Sequence, residues 1–185
     1  MIYNRRTFSL GLVAGSAALA GCANGIGSGN DQVIDARVDR TLEFMYNEFP
    51  GTQTLRANSS GMLIMPLVTE GGFVVGASFG RGALRINDVT VDYYSTRSLS
   101  GGLQIGAQQF AHVLFFMTEE ALLDFRRSPG WAVGADVEYA IQDQGGNVRA
   151  ETTTSLSPVI AAIFGQAGFR VGASLEGTKY TRIIP

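Results

Sequence analysis

The 185-residue chain has one cysteine and one histidine. A disulfide needs two cysteines, so none can form within the chain. With Cys22 and His112 as the sole soft donors, no thiolate or imidazole cluster can be assembled for a zinc-like metal. Nucleophilic catalysis is equally ill supplied, because there is no GxSxG elbow and only His112 could act as a base. Charge is scarce at 16% of residues, and the carboxylates Asp124, Asp136, Glu138 and Asp143 are scattered along the chain. Gly80-Arg81-Gly82 lacks the Lys and the Ser/Thr of a phosphate loop. The expectation is a protein that is not an enzyme, with no catalytic residues, no metal and no cofactor.

What is present begins with an export signal. MIYNRRTFSLGLVAGSAALAGC carries paired Arg5 and Arg6, then an apolar stretch from Phe8 to Ala20 that is short for a bilayer span and ends in small residues. RRTFSL resembles a twin-arginine signal, with Ser9 where that pattern usually has Leu. LAGC resembles a bacterial lipobox, which implies that the Cys22 thiol carries diacylglycerol and that an acyl chain follows after cleavage. Each buried acyl CH2 is worth about 0.8 kcal/mol, so several chains anchor stably where one does not. Residues 1–21 read as signal peptide and 22–30, Gly and Ser rich, as a lipidated tether. Ala23 follows the Cys rather than Asp, which resembles sorting to the periplasmic face of an outer membrane. Without residues 1–21 the net charge is minus four, which argues against nucleic acid as a partner.

Residues 31–185 read as one domain, since 45% hydrophobic residues over this length supply one sizeable core. Ile34, Val38, Leu42, Met45 and Phe49 recur at helical spacing, with Asp35, Arg37, Asp39, Arg40 and Glu43 largely opposite. Asn30 or Asp31 can cap this helix, and Pro50-Gly51 stops it. A second helix is predicted over 118–127, with Thr118 as N-cap, Glu119 and Glu120 in the first turn and Arg126 and Arg127 in the last. Those charges complement the helix dipole and need no catalytic reading. Elsewhere β-branched and aromatic runs alternate with breakers such as Asn87-Asp88, Gly101-Gly102 and Gly145-Gly146-Asn147.

One unit occurs four times: GFVVGAS from Gly72, GLQIGAQ from Gly102, GWAVGAD from Gly130 and GFRVGAS from Gly168. A helical reading costs about 1 kcal/mol per interior Gly, and Pro66 and Glu70 break the surrounding apolar run. Read as strands, each copy has an apolar face, such as Phe73, Val75 and Ala77, and a face of nearly bare backbone, such as Gly72, Gly76 and Ser78. Interior strand glycines mark a bend, a bulge or the close approach of another element. Starts 30, 28 and 38 residues apart are too irregular for a solenoid. The expected fold class is α+β and strand-dominated. A strongly curved antiparallel sheet, partly barrel-like, is covered by the N-terminal amphipathic helix and by the helix near 118–127.

SGMLIMPLVTEGGFVVGASFGRGAL, YYSTRSLSGGLQIGAQQFAHVLFFMTEEALLDF and GFRVGASLEGTKYTRI together resemble the SYLF-domain family in its bacterial lipoprotein branch, over about residues 31–184. The resemblance implies phosphoinositide or anionic phospholipid binding and, in eukaryotic members, actin regulation. An exported protein meets no cytoskeleton, so actin is not the expected partner. Arg81, Arg85, Arg170 and Lys179 lie on or beside the glycine-rich strands and are the candidate lipid-phosphate ligands; the plainer reading is solvated strand-end charge. His112, alternating with Phe110 and Leu114, reads as a core or edge histidine. The expected function is a membrane-anchored envelope lipoprotein that binds anionic phospholipid. The alternative is a scaffolding lipoprotein that recognises another envelope protein.

Overall fold

The computed structural model describes residues 29–72, 75–101, 106–134, 137–142, 148–150, 157–165, 168–169 and 175–185. The signal peptide, the lipobox with Cys22, and Arg170 lie outside the described residues. Helices α1 (Asn30–Glu48), α2 (Thr52–Asn58) and α3 (Glu119–Arg127) accompany strands β1 (Gly61–Gly72), β2 (Val75–Ile86), β3 (Val89–Gly101), β4 (Gly106–Phe116) and β5 (Trp131–Ala132). The remaining strands are β6 (Val137–Gln142), β7 (Val148–Ala150), β8 (Val159–Gly165), β9 (Gly168–Phe169) and β10 (Lys179–Ile183). They form one strongly curled sheet, a half-barrel, in the order β5-β10-β3-β2-β1-β4-β8-β6-β7, with β9 beside β8. The strand-dominated α+β class is as the sequence predicts. All pairings are antiparallel except β6 with β8, because the β7 excursion reverses the chain twice before β8 forms.

Both faces of the central strands are buried over much of their length. Leu63, Met65, Leu84, Leu114, Phe116 and Ile163 meet Tyr180 of β10 and Val137 of β6, from opposite sides of the sheet, which places them inside the curl. Met62, Ile64, Ala83, Val113, Phe115 and Ala162 face outward and are covered by Ile34, Val38, Leu42, Met45 and Phe49 of α1. Two buried faces account for continuous apolar runs such as HVLFF, where a half-exposed strand would alternate. Each large side chain buried this way contributes about 1.5–3 kcal/mol. Inside the curl, α3 inserts Phe125 between Tyr94 and Phe116, with ring centroids 4.7 and 4.8 Å away, and Trp131 lies at 5.4 Å.

The helix ends follow local chemistry. Thr118 Oγ1 accepts a bond from the Ala121 amide at 3.2 Å, as predicted for α3. In α1 the cap position falls on Gly29 instead of Asn30 or Asp31, so no side chain caps it. The polar flank of α1 is tied to the sheet: Asp35 accepts from Thr90 and Tyr93 at 2.8 Å each, and Asp39 pairs with Arg85 at 2.6 Å. The Tyr93 phenol is pushed up to about 12, by burial first and by its bond to Asp35 second. Asn87 and Asp88, with φ of 50° and 65°, form the two-residue turn between β2 and β3. Arg56 of α2 pairs with Asp88 at that turn.

Pro66 lies in β1, a central strand, where its missing N–H must be accommodated. The register answers with a bulge: between Ile64 and Leu67, β1 advances three residues while β2 advances two, and β4 shows the same shift between Met65 and Val68. The extra residue reverses the alternation, so Val68 turns inward at 1% exposure and Leu67 outward at 38%. Gly82 of β2 faces the bulge, and a Cβ there would be driven into the Ile64 carbonyl and the Met65 sulfur.

The repeated unit does not lie along one strand. Gly72 pairs with Gly76 across the β1–β2 connection and with Gly106 of β4, and Gly168 pairs with Gly165 at the β8–β9 connection. Much of the second and fourth copies lies outside the described residues. The facing also differs between copies. In the third, Trp131 and Val133 pack inward as the alternation predicts. In the first, Ala77 is exposed, whereas Ser78, Gly80 and Gly82 face the interior. The inside of a tight curl has the least room, and the smallest residues occupy it.

Candidate functional site

The bulge that turns Leu67 outward also makes a surface. Leu67 is the cross-strand partner of Arg81, and Thr69 of Phe79. The first turns of α1 lie over these residues and leave a groove of about 280 Å³ lined by Val33, Arg37, Leu67, Phe79 and Arg81, among others. Val33 is 50%, Leu67 38% and Phe79 46% exposed. The Arg81 guanidinium carbon lies 6.0 Å from the centre of the Phe79 ring, at the outer limit of a cation–π contact.

Register extends this surface across the uncovered part of the outer face. Phe79 pairs with Arg97 of β3, and Arg97 pairs with Lys179 of β10. Directly paired residues in antiparallel strands project to the same side. Arg97 and Lys179, both exposed, therefore stand in one row with Phe79, with Arg81 and Arg37 beside it. Apolar side chains ringed by cations are the composition that suits the interface of an anionic membrane, where the rings enter the headgroup region and the cations meet phosphate.

The four basic residues predicted from the sequence have separate fates. Arg81 and Lys179 belong to this surface. Arg85 is 12% exposed and engaged with Asp39 of α1, so it holds the helix in place. Arg170 and Cys22 lie outside the described residues. Sequence reasoning missed Arg97 and Arg37. Arg97 sits in STRSLS without an adjacent glycine unit to draw attention, and only strand pairing puts it beside Phe79 and Lys179.

His112 is fully buried inside the curl, and its Nε2 lies 2.7 Å from Tyr180 Oη. Burial lowers the imidazole to about 3, so it is neutral at physiological pH, and burial pushes the Tyr180 phenol far up. Among the described residues no carboxylate is hydrogen-bonded to the ring, as a catalytic triad would require. Among the described residues, no three His, Cys, Asp or Glu side chains gather as a metal site, and no helix is long and apolar enough to cross a membrane.

Residues 97–182 match the family model described as Ysc84, Las17-binding protein actin regulator. This segment is similar to the Ysc84, or SYLF, family. The match is narrower than the span of resemblance in the sequence; it runs from Arg97 near the end of β3 to Arg182 in β10 and leaves out α1, β1 and β2. SYLF domains are lipid-binding and actin-regulating, a family of binding domains rather than of enzymes. No curated protein matches the chain significantly.

Proposed function

We propose that this SYLF-like protein is a lipid-anchored envelope lipoprotein whose domain docks on anionic phospholipid through the outer face next to the start of α1. The observation that carries the reading is the row Phe79, Arg97 and Lys179, flanked by Arg81, Arg37 and the exposed Leu67 and Val33. The lipobox supports it by position. Six residues lie between Cys22 and Gly29, and the seven Cα–Cα steps reach at most about 25 Å fully extended, so an acylated Cys22 would hold the start of α1 close to the bilayer. On this reading the protein is exported, acylated at Cys22 and held at the periplasmic face of the outer membrane, and its ligands are lipid headgroups rather than actin.

The test uses the chain lacking residues 1–22 and vesicles of phosphatidylcholine with and without phosphatidylserine. Binding that requires phosphatidylserine and weakens with salt is expected. Each cation near an anionic surface is worth about 1 kcal/mol, so neutralising Arg81, Arg97 and Lys179 singly should weaken binding about fivefold each. Absence of association with either vesicle, together with a stoichiometric protein crosslink in intact cells, would select the scaffolding reading instead.

A further inference from the structure

The outer surface is graded along its strands. Phe79, Arg97 and Lys179 form one cross-strand row, and the next row toward the β1–β2 connection pairs Ala77 with Leu99. Leu99 is 81% exposed, the most exposed large hydrophobic side chain among the described residues, and Ala77 beside it is exposed too. Gly71, the partner of Ala77 on β1, adds no side chain. The front row is therefore uncharged, whereas Arg97 and Lys179 stand one row behind it and Arg81, the partner of Ser95, two rows behind.

A single exposed leucine is ordinary on a protein surface; this one gains meaning from its place ahead of the cations. Residues two apart on a strand are separated by about 7 Å. Amphipathic segments at a membrane interface bury their apolar side about 5–10 Å into the boundary between headgroups and acyl chains. One row thus matches the step from phosphate to the start of the hydrocarbon. The acids nearby lie elsewhere: Glu70 and Glu176 line the cavity of about 410 Å³ inside the curl. Leu99 borders that cavity as well, but its alternation with Ser98, which bonds the inward Ser78, sends its side chain to the outer side. Asp31, in the first turn of α1, acts on the Tyr93 phenol, two rows behind Arg97. The helix itself begins beside the cation row, since Asn30 and Val33 share a groove with Thr69 and Phe79.

We propose that the protein meets an anionic bilayer end-on, with the Leu99 side chain entering the acyl boundary while Phe79, Arg97 and Lys179 lie at the level of the phosphates. This pose rests on the anionic-phospholipid docking proposed above. It adds which residue penetrates and how the strands tilt: toward the bilayer normal, with the Val89 end of β3 in water. The cations supply an attraction that salt screens, and Leu99 supplies one that salt does not weaken.

Without residues 1–22 the chain keeps every described residue and has no cysteine, so Leu99→Cys or Val89→Cys each takes a single environment-sensitive dye. Val89, 64% exposed, is at the opposite end of β3, roughly 33 Å away along the strand. On phosphatidylcholine vesicles containing phosphatidylserine, the dye at position 99 should shift to the blue and be quenched by lipids brominated in their acyl chains. The dye at position 89 should do neither. Leu99→Gln should weaken co-sedimentation with these vesicles about tenfold at unchanged salt dependence, whereas Arg97→Gln should reduce the salt dependence. Both variants should melt close to the parent, because both side chains are exposed. Co-sedimentation with an unquenched dye at position 99 and full affinity of Leu99→Gln would overturn the end-on pose and leave the docking reading standing. Quenching at both positions would also overturn it, since the two ends of β3 would then lie equally deep. A blue shift that grows with protein concentration and needs no vesicle would assign Leu99 to a contact between copies of the chain instead. Absence of co-sedimentation, with or without phosphatidylserine, would remove the docking reading and the pose together.

Discussion

Tyr180 Oη lies 2.7 Å from His112 Nε2, joining β10 to the central strand β4 across the inside of the curl and across 68 positions of sequence. Both side chains are essentially unexposed, at 1% and 0%. The bond fixes the imidazole ring and packs the last strand against the middle of the sheet.

A pH dependence follows from that burial. The folded imidazole titrates at about 3 against an ordinary 6.5, so the unfolded chain takes up a proton that the folded chain refuses. The stability due to the neutral ring is therefore complete above pH 6.5 and declines as pH falls through that value toward 3. The slope is at most about 1.4 kcal/mol per pH unit. Urea unfolding between pH 6.5 and 5, where most carboxylates remain ionised, should show the decline, and His112→Gln should flatten it. A parent protein with constant stability over this window would contradict the burial of His112.

Gly82→Ala tests the bulge. The added methyl has backbone of Ile64 in its way, and a rigid carbonyl cannot rotate aside as a side chain can. A loss on the order of 3 kcal/mol is expected, in the range of other overpacked or strained sites. Gly80→Ala meets the Leu67 carbonyl at 2.8 Å and should cost less. Thermal melts of the two variants should rank in that order. A Gly82→Ala protein as stable as its parent would mean that β1 has no bulge at Pro66.

Arg81 and Arg85 are four residues apart on one face of β2 but should behave differently. Arg85→Met breaks the pair with Asp39 and loosens α1, costing about 1 kcal/mol with little effect on vesicle affinity. Arg81→Gln should do the reverse. Parallel melting and vesicle sedimentation of the two variants would separate the helix latch from the docking surface; identical behaviour would merge them.

Cys22→Ser should leave the domain folded and move it from the membrane to the soluble fraction. Fractionation of cells expressing each form, with a circular-dichroism spectrum of the purified variant, checks both parts. Retention in membranes would show that the outer-face surface holds the protein without acylation.

Sequence alone determined the local elements. The stripe from Ile34 to Phe49, the Thr118 cap and the Asn87-Asp88 turn are set by neighbours within a few residues, and the structure follows them. The single cysteine and histidine likewise settled, without any fold, that a disulfide and a cluster of soft ligands are beyond this chain. Tertiary structure decided which way the strands face. Alternation defines two sides, but not which of them turns inward, and the Pro66 bulge reverses the parity between Met65 and Val68. The glycine face of β2 went to the crowded interior and Phe79 to the surface, while the bulge in β1 turned Leu67 outward beside it. Arg97 joined Lys179, and His112 met Tyr180, through pairings between residues far apart in the chain. Such contacts depend on register and curl, which are properties of the whole sheet.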